Sequence, residues 1–480
     1  MYADSGFRLD SEGALSRWQP YDGGALADSV GRPAGASLFY ATCQRLPQRT
    51  ALHSHRLLTL LGISTFAFSA AGCGGGPSTT SDPPVDSDAT AKNAETHNSA
   101  PYVVLVSFDA FRWDYQDTYA TPNFDRVAAA GVRAERLTPV FPTKTFPSHY
   151  TIATGMYAEN HGLVGNTFWA PDKNAWYTIG NRTAVEDAGF YRGEPIWVTA
   201  ERQGMISTSF FFVGSEAAVG GVQPTYWHRF DASISNRARV DGVIEWLAMP
   251  LENRPHMITL YFEAVDNAGH NSGPGSAGVG TAVASLDAEL GRLLDRIEAL
   301  PHGNQVFVVL VSDHGMMDQT ASKADVLDMD LFPGVRLGAS GPYATLYVDE
   351  GGAERATAVR DSIATMMPEN GVYLRADVPE RLHYSADPRI GDIVIVAAAG
   401  RGVVTPDRVP QSDGYNHGWD NGFLDMSGIF LARGPGIAGG QRIDAFESIH
   451  IYPLLAHVLG LTPNPDVDGR LEVLQPILGN

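Results

Sequence analysis

Cysteine is nearly absent from this chain. Its 480 residues include two, Cys43 and Cys73, and both precede residue 100. The rest of the chain therefore has neither disulfides nor thiolate metal sites. A metal in the main body must be held by His, Asp or Glu, a donor set that favours catalytic over structural zinc. Positive charge is scarce as well: 34 Lys and Arg stand against 54 Asp and Glu, for a net charge of −20. That balance offers no basic surface for a nucleic-acid polymer. An acidic enzyme can still take an anionic substrate where a metal cluster reverses the field locally. A comfortable membrane span is also missing. The apolar run "LLTLLGISTFAFSAAGC", Leu57 to Cys73, is too short for one.

That run has the length of a signal-peptide core and follows Arg49, His53, His55 and Arg56. It ends in Ala70, Ala71, Gly72 and Cys73, which resembles a bacterial lipobox with Ala70 where Leu is usual. Residues 57–73 are thus expected to be a lipoprotein-type signal segment with Cys73 lipidated. The expected location is the bacterial cell envelope, periplasmic or on the outer membrane, with membrane association through this N-terminal lipid anchor. Residues 1–56 form an aperiodic leader, and a start near Leu46 would bring the signal to the front of the chain. Residues 74–100 are rich in Gly, Ser, Thr, Pro and Asp with no apolar face, the composition of a flexible tether. Residues 101–480 are expected to form the catalytic domain.

Three apolar runs in that part each end in an aspartate: "YVVLVSFD" at Asp109, "MITLYFEAVD" at Asp266 and "VFVVLVSD" at Asp313. Continuous apolar runs of this length predict strands buried on both faces. Helical patterns lie between them. One opens at Thr121-Pro122 and closes at Gly131; others are Val283 to Leu300 and Ser448 to Gly460. The alternation predicts an α/β fold with a central, mostly parallel sheet flanked by helices on both faces. A smaller inserted lobe is expected at about 318–389, including "YATLYVD". Ligands of such sheets bind beyond the carboxyl ends of the strands, where the three aspartates would lie.

His270 follows Asp266 at the i, i+4 spacing of one helix face. His314 directly follows Asp313, and His417 sits in the glycine-flanked "GYNHGWDN". Together these residues supply the carboxylates and imidazoles that a hydrolytic two-zinc site needs. The other histidines of the main body (His149, His161, His228, His256, His302, His383, His450 and His457) lack carboxylates at useful spacing and read as structural. "FPTKTFPSHY", Phe141 to Tyr150, holds two threonines but no acid–base pair to activate either. A bound metal can supply that activation by lowering the pKa of a coordinated oxygen.

The pieces "SFDAFRWDY", "FPTKTFPSHYTIATGMYAENHGLVGN", "EPIWVTAERQG", "TLYFEAVDNAGH", "VSDHGM" and "NHGWDN" occur in the order of a known family. The chain resembles the nucleotide pyrophosphatase/phosphodiesterases (type I phosphodiesterases) of the alkaline phosphatase superfamily. The resemblance implies an alkaline phosphatase-like fold and two Zn2+. Asp266, His270 and His417 would hold one; Asp109, Asp313, His314 and Thr145 would hold the other. It selects Thr145, directly before Phe-Pro, as nucleophile, and Asn166 as donor to a phosphate oxygen. Phe146 and Tyr226 would sandwich the nucleobase, with Tyr261 near the same pocket. The chain departs from the family at Ser148, commonly Asn, and at Phe212-Val213, often Trp-Pro.

The expected substrate is a nucleotide or other small phosphodiester, cleaved through a covalent phospho-threonine. One alternative is a phosphomonoesterase or phosphonate hydrolase of the same superfamily. A monoesterase is expected to carry a cationic group for the extra phosphate charge, and by helical phase Arg112 faces away from the pocket. A second alternative is a non-catalytic envelope lipoprotein that binds zinc or nucleotide, which would not need Thr145 among the ligands. Lys144 invites a phosphate-binding role, but neighbours in an extended loop face opposite ways.

Overall fold

Strand β1, Tyr102–Phe108, is buried along its whole length. In the computed structural model, which describes residues 91–479 and the separate antiparallel pair Arg8–Leu9 and Leu15–Ser16, this strand is central to the main sheet. The leader, the signal segment with Cys73, and the tether up to residue 90 otherwise lie outside the described residues. Val103 and Leu105 enter one apolar cluster, while Tyr102, Val104, Val106 and Phe108 enter a second on the opposite face. Successive side chains of a strand point to opposite faces, so a run apolar at every position must be covered twice.

The other strands of this sheet are β2 (Val132–Ala134), β3 (Ser207–Phe210), β4 (Tyr226–His228), β5 (Met257–Phe262), β6 (Val306–Val311), β7 (Phe430–Arg433) and β8 (Gln441–Ile443). Their order is β8-β2-β7-β6-β1-β5-β3-β4. Only β7 runs against the rest, so the sheet is mixed but mostly parallel.

Seven helices matter for the site and its walls: α1 (Pro122–Ala130), α2 (Thr145–Thr154), α3 (Ile196–Arg202), α4 (Asn236–Leu247), α5 (Ala264–Ser272), α6 (Ala277–Glu298) and α7 (Ile451–Leu459). Residues of α1, α4 and α6 join the cluster on one face; residues of α2, α3 and α7 join the other. Helix α6 starts before the expected Val283, because Ser276 caps it by accepting from the Val279 amide at 3.1 Å. The start of α1 is held differently from the expected Thr121 cap. Asp287 of α6 accepts from the amides of Asn123 and Phe124 at 2.9 and 3.1 Å.

A four-stranded antiparallel sheet forms the smaller lobe, in the order Val335–Leu337, Tyr343–Val348, Ile393–Val396, Gly371–Leu374. Helix Gly352–Met366 packs on it through Val359 and Ile363. The last strand of this sheet in sequence lies beyond residue 389. Among the described residues, no helix is long and apolar enough to cross a membrane.

Candidate active site

Register brings two of the three aspartates level. Phe108 pairs with Phe262 of β5, and Ser107 with Val311 of β6, so Asp109 and Asp313 leave adjacent strand ends together. The chain turns at once after Asp109. Ala110 has a φ of 54°, rare for a residue with a side chain, and its amide donates to Asp313 Oδ1 at 3.1 Å. Asp266 differs from the strand-end expectation. β5 stops at Phe262, and Asp266 sits in the first turn of α5, with His270 one turn on. Helical spacing of the carboxylate and imidazole overrides the apolar run here, and His270 Nε2 stands 3.4 Å from Asp266 Oδ1.

The ligand atoms converge in two tight groups, each within 4.8 Å: Asp266, His314, His417, and Asp109, His149, Asp313. His314 stands between them. Its Nε2 is 3.0 Å from Asp313 Oδ2, 3.6 Å from Asp109 Oδ1 and 3.4 Å from Thr145 Oγ1. His417 stacks on His314 at 3.6 Å between ring centroids, and its Nε2 is 3.8 Å from Asp266 Oδ1. His270 is the most exposed of these residues, at the rim.

Among the described residues, three buried oxygens, Asp109 Oδ1, Asp266 Oδ1 and Asp313 Oδ2, receive no well-directed hydrogen bond, although imidazole nitrogens stand within ion-pair distance of them. Buried polar atoms are almost always paired, so three orphans in one cluster ask for a ligand. Burial, then the charges of Asp313 and Asp266, push the Asp109 carboxyl well above its ordinary range. Burial would raise Asp313 too, but His314 and His149 outweigh it and hold that carboxyl low. Burial, with His314, Lys144 and His270 nearby, keeps His417 well below the usual histidine value and hence neutral. Carboxylates that repel one another beside a neutral imidazole fit divalent cations.

The segment that carries Thr145 also braces the His417 loop. His417 Nδ1 donates to Thr143 O at 2.8 Å, which leaves Nε2 as the lone-pair nitrogen. The Thr143 hydroxyl accepts from the Gly418 amide at 2.9 Å and donates to Trp419 O at 3.0 Å. Lys144 Nζ donates to Asn416 Oδ1 at 3.1 Å. Thr145 itself opens α2. Asn166 Oδ1 accepts from the Phe146 amide at 3.1 Å, which leaves the Asn166 NH2 as the end available to a ligand.

The tyrosines are placed otherwise than the aromatic sandwich requires. Tyr261 is buried, and its hydroxyl donates to Asp109 Oδ2 at 2.5 Å, so it orients a carboxylate instead of lining a wall. Tyr226 opens edge strand β4 opposite Thr208, which aligns with Ile258 and so with Val104. That level is five residues before Asp109, about 16 Å down the sheet. The aromatic residue beyond the end of β4 is Phe230, packed at 5.2 Å on Phe211 and 6.3 Å from Tyr261. Phe146, 7 % exposed, faces Tyr177 at 6.1 Å. Arg112 is engaged by Asp114 and Asp425, in irregular chain just before the short helix Tyr115–Thr118, so it has no helical phase.

The model of the type I phosphodiesterase / nucleotide pyrophosphatase family matches residues 103–423. The chain belongs to that family. It is accordingly an enzyme of the phosphodiester hydrolase class, and its sheet is that of alkaline phosphatase-like folds. It is 34 % identical over 389 residues to ectonucleotide pyrophosphatase/phosphodiesterase family member 7 of Rattus norvegicus, covering 78 % of this chain and 87 % of the relative. It is 32 % identical to the venom phosphodiesterase CdcPDE of Crotalus durissus collilineatus, of which it spans 46 %. The structure of murine ectonucleotide pyrophosphatase/phosphodiesterase 5, an inactive threonine-to-alanine variant in complex with AMP, superposes with a TM-score of 0.74. That pair is 32 % identical over 79 % of this chain and the whole of the murine chain.

Two residues of this family member escaped sequence reasoning. His149 sits one helical turn after Thr145, and only the fold brings it to Asp313. Phe230 carries no signal beyond being aromatic and close to Tyr226.

Proposed function

We propose that the protein is a zinc-dependent hydrolase that cleaves phosphodiester or pyrophosphate bonds of nucleotides and nucleotide-like diesters. Thr145 Oγ1 attacks phosphorus, the bond to the leaving oxygen breaks, and a nucleotidyl-threonine forms. Water then releases a nucleoside monophosphate and restores Thr145. The observation that carries this reading is Thr145 Oγ1 beside His314 Nε2, at the junction of two buried carboxylate–imidazole groups. Two zinc ions, when bound, supply charge neutralisation for the phosphate and a lowered pKa for the hydroxyl. Asp266, His270 and His417 would hold one ion, and Asp109, Asp313, His314 and Thr145 the other. The Asn166 NH2 binds a non-bridging oxygen, while Phe146 and Phe230 offer aromatic walls for the base.

A phosphomonoesterase is less well supported, because Arg112 is already paired with Asp114 and Asp425. A side-by-side assay of a nucleoside-monophosphate ester and a simple monoester decides between them. Diester cleavage should dominate, vanish on chelation, and fall by several orders of magnitude in Thr145→Ala. Faster monoester cleavage would overturn the diesterase reading. Full activity in Thr145→Ala would remove the nucleophile.

The apolar segment ending at Cys73 supports an envelope lipoprotein. Metabolic lipid labelling that is absent in Cys73→Ser is the expected result; labelling that persists there would reject the anchor.

A further inference from the structure

His149 belongs to one of the two ligand groups, yet neither of its nitrogens is free. Nδ1 is 2.9 Å from the carbonyl oxygen of Thr145 and 3.2 Å from Asp313 Oδ2. A carbonyl only accepts, so Nδ1 carries the hydrogen. Nε2 is then the acceptor, taking the Ser107 hydroxyl hydrogen at 2.7 Å. A ring nitrogen that bears hydrogen cannot bind a metal, and the other is occupied. The ring is fully buried, with Phe212 and Tyr261 meeting it in edge contacts at 5.4 and 5.3 Å. Tyr261 is the residue that donates to Asp109.

We propose that His149 is a positioning residue that couples the main chain of the nucleophile to the metal-ligand carboxylate. The Nδ1 hydrogen goes to the Thr145 carbonyl, the same nitrogen touches Asp313 Oδ2 at 3.2 Å, and Ser107 on β1 locks the tautomer that makes this possible. A shift of Asp313 is thereby transmitted to the first turn of α2, and the nucleophile keeps its place relative to the carboxylates. The proposal rests on the reading of Thr145 as nucleophile and Asp313 as ligand, and it adds a residue that neither touches substrate nor binds metal.

The test compares His149→Leu, His149→Gln and His149→Asn in the full chain loaded with zinc. Metal content, thermal stability, kcat and KM are all measured. His149→Leu should lower kcat about 10–100-fold, the range for residues that orient metal ligands, with KM and zinc content nearly unchanged. His149→Asn can donate from close to the Nδ1 position and should recover most of kcat; His149→Gln should not. Loss of zinc from all three variants would make His149 a ligand and overturn the proposal. Unchanged kcat in His149→Leu would overturn it as well. Should His149→Leu fail to fold, Ser107→Ala carries the test, since it removes only the hydroxyl that holds Nε2. A fall in kcat at constant zinc content supports the coupling, and an unchanged kcat rejects it. Thr145→Ala run alongside keeps the two readings apart: full activity there removes the nucleophile whatever the His149 variants do.

Discussion

The carbonyl of Thr143 accepts the Nδ1 hydrogen of His417 at 2.8 Å, across 274 residues of chain. The Thr143 hydroxyl binds the next two residues, Gly418 and Trp419, from the same position. Of the two threonines in "FPTKT", one presents a hydroxyl to the ligand cluster and the other clasps a ligand loop. Thr143→Val should strand a buried N–H and a buried carbonyl, at a cost of about 1–3 kcal/mol in denaturant unfolding. Zinc affinity should fall about tenfold while Thr145 stays reactive toward substrate at saturating zinc. Unaltered zinc affinity would deny the clasp a role in ligation.

Tyr261→Phe separates an orienting hydroxyl from an aromatic wall. The ring remains and the bond to Asp109 Oδ2 is lost. Activity at limiting zinc should drop about 10–100-fold, with KM for the nucleotide ester nearly unchanged. A wall residue would show the reverse, since Phe stacks as well as Tyr.

Phe230→Ala should raise KM for a nucleotide ester about tenfold, the loss of one base–aromatic contact, and leave KM for a small non-aromatic diester in place. Tyr226→Ala should leave both KM values unchanged, because it sits far below the strand ends. Steady-state kinetics on the two esters reads both outcomes.

Removal of metal should expose the burial and the repulsion that together raise Asp109. The chelated protein should melt lower than the zinc-loaded one, with the difference growing as zinc is titrated back. In the chelated state Asp109→Asn should be more stable than the parent by about 1 kcal/mol, because the amide carries no charge to bury beside Asp313 and Asp266. Zinc should no longer raise its melting temperature to the parent value. A chelated Asp109→Asn protein less stable than its parent would contradict this.

His161 sets an acid limit away from the ligands. It is fully buried, and burial holds its pKa down to about 3. The Leu163 amide donates to its Nδ1 at 3.2 Å, and Thr151 Oγ1 lies 3.0 Å from Nε2. A histidine depressed in the folded state keeps its full stability above its unfolded pKa and loses it as pH falls from there toward the folded value. Stability should therefore decline below about pH 6.5, with this residue contributing up to about 1.4 kcal/mol per pH unit. Chemical denaturation of the parent and of His161→Gln between pH 7 and 5 should show the shallower slope in the variant. Equal slopes would acquit His161.

Much of the fold was legible because its signals are local. Tyr102–Phe108 and Val306–Val311 are apolar at almost every position, which only a strand covered on both faces accommodates. Gly460 stops α7 in a left-handed conformation, as its place in the sequence predicts. Other features depend on distant partners. The true cap of α1 is Asp287, more than 160 residues away, and Thr121 imitates a cap without making its bond. His149 looked ordinary because its carboxylate lies 164 residues along the chain. Tyr226 and Phe230 stand four residues apart, one at the start of β4 and the other beyond its end, and which of them is level with the site depends on the register of the neighbouring strands.

Residue order alone thus determined the family, the α/β alternation, and the set of donors available once cysteine was gone. Those properties follow from which side chains exist and how they repeat along the chain. Tertiary structure decided which donors meet, and which ring nitrogen of His417 keeps its lone pair. It also decided which hydroxyl faces the cluster and which one braces it. Such choices depend on register, burial and tautomer, and these arise only when segments hundreds of residues apart pack against each other and exclude water.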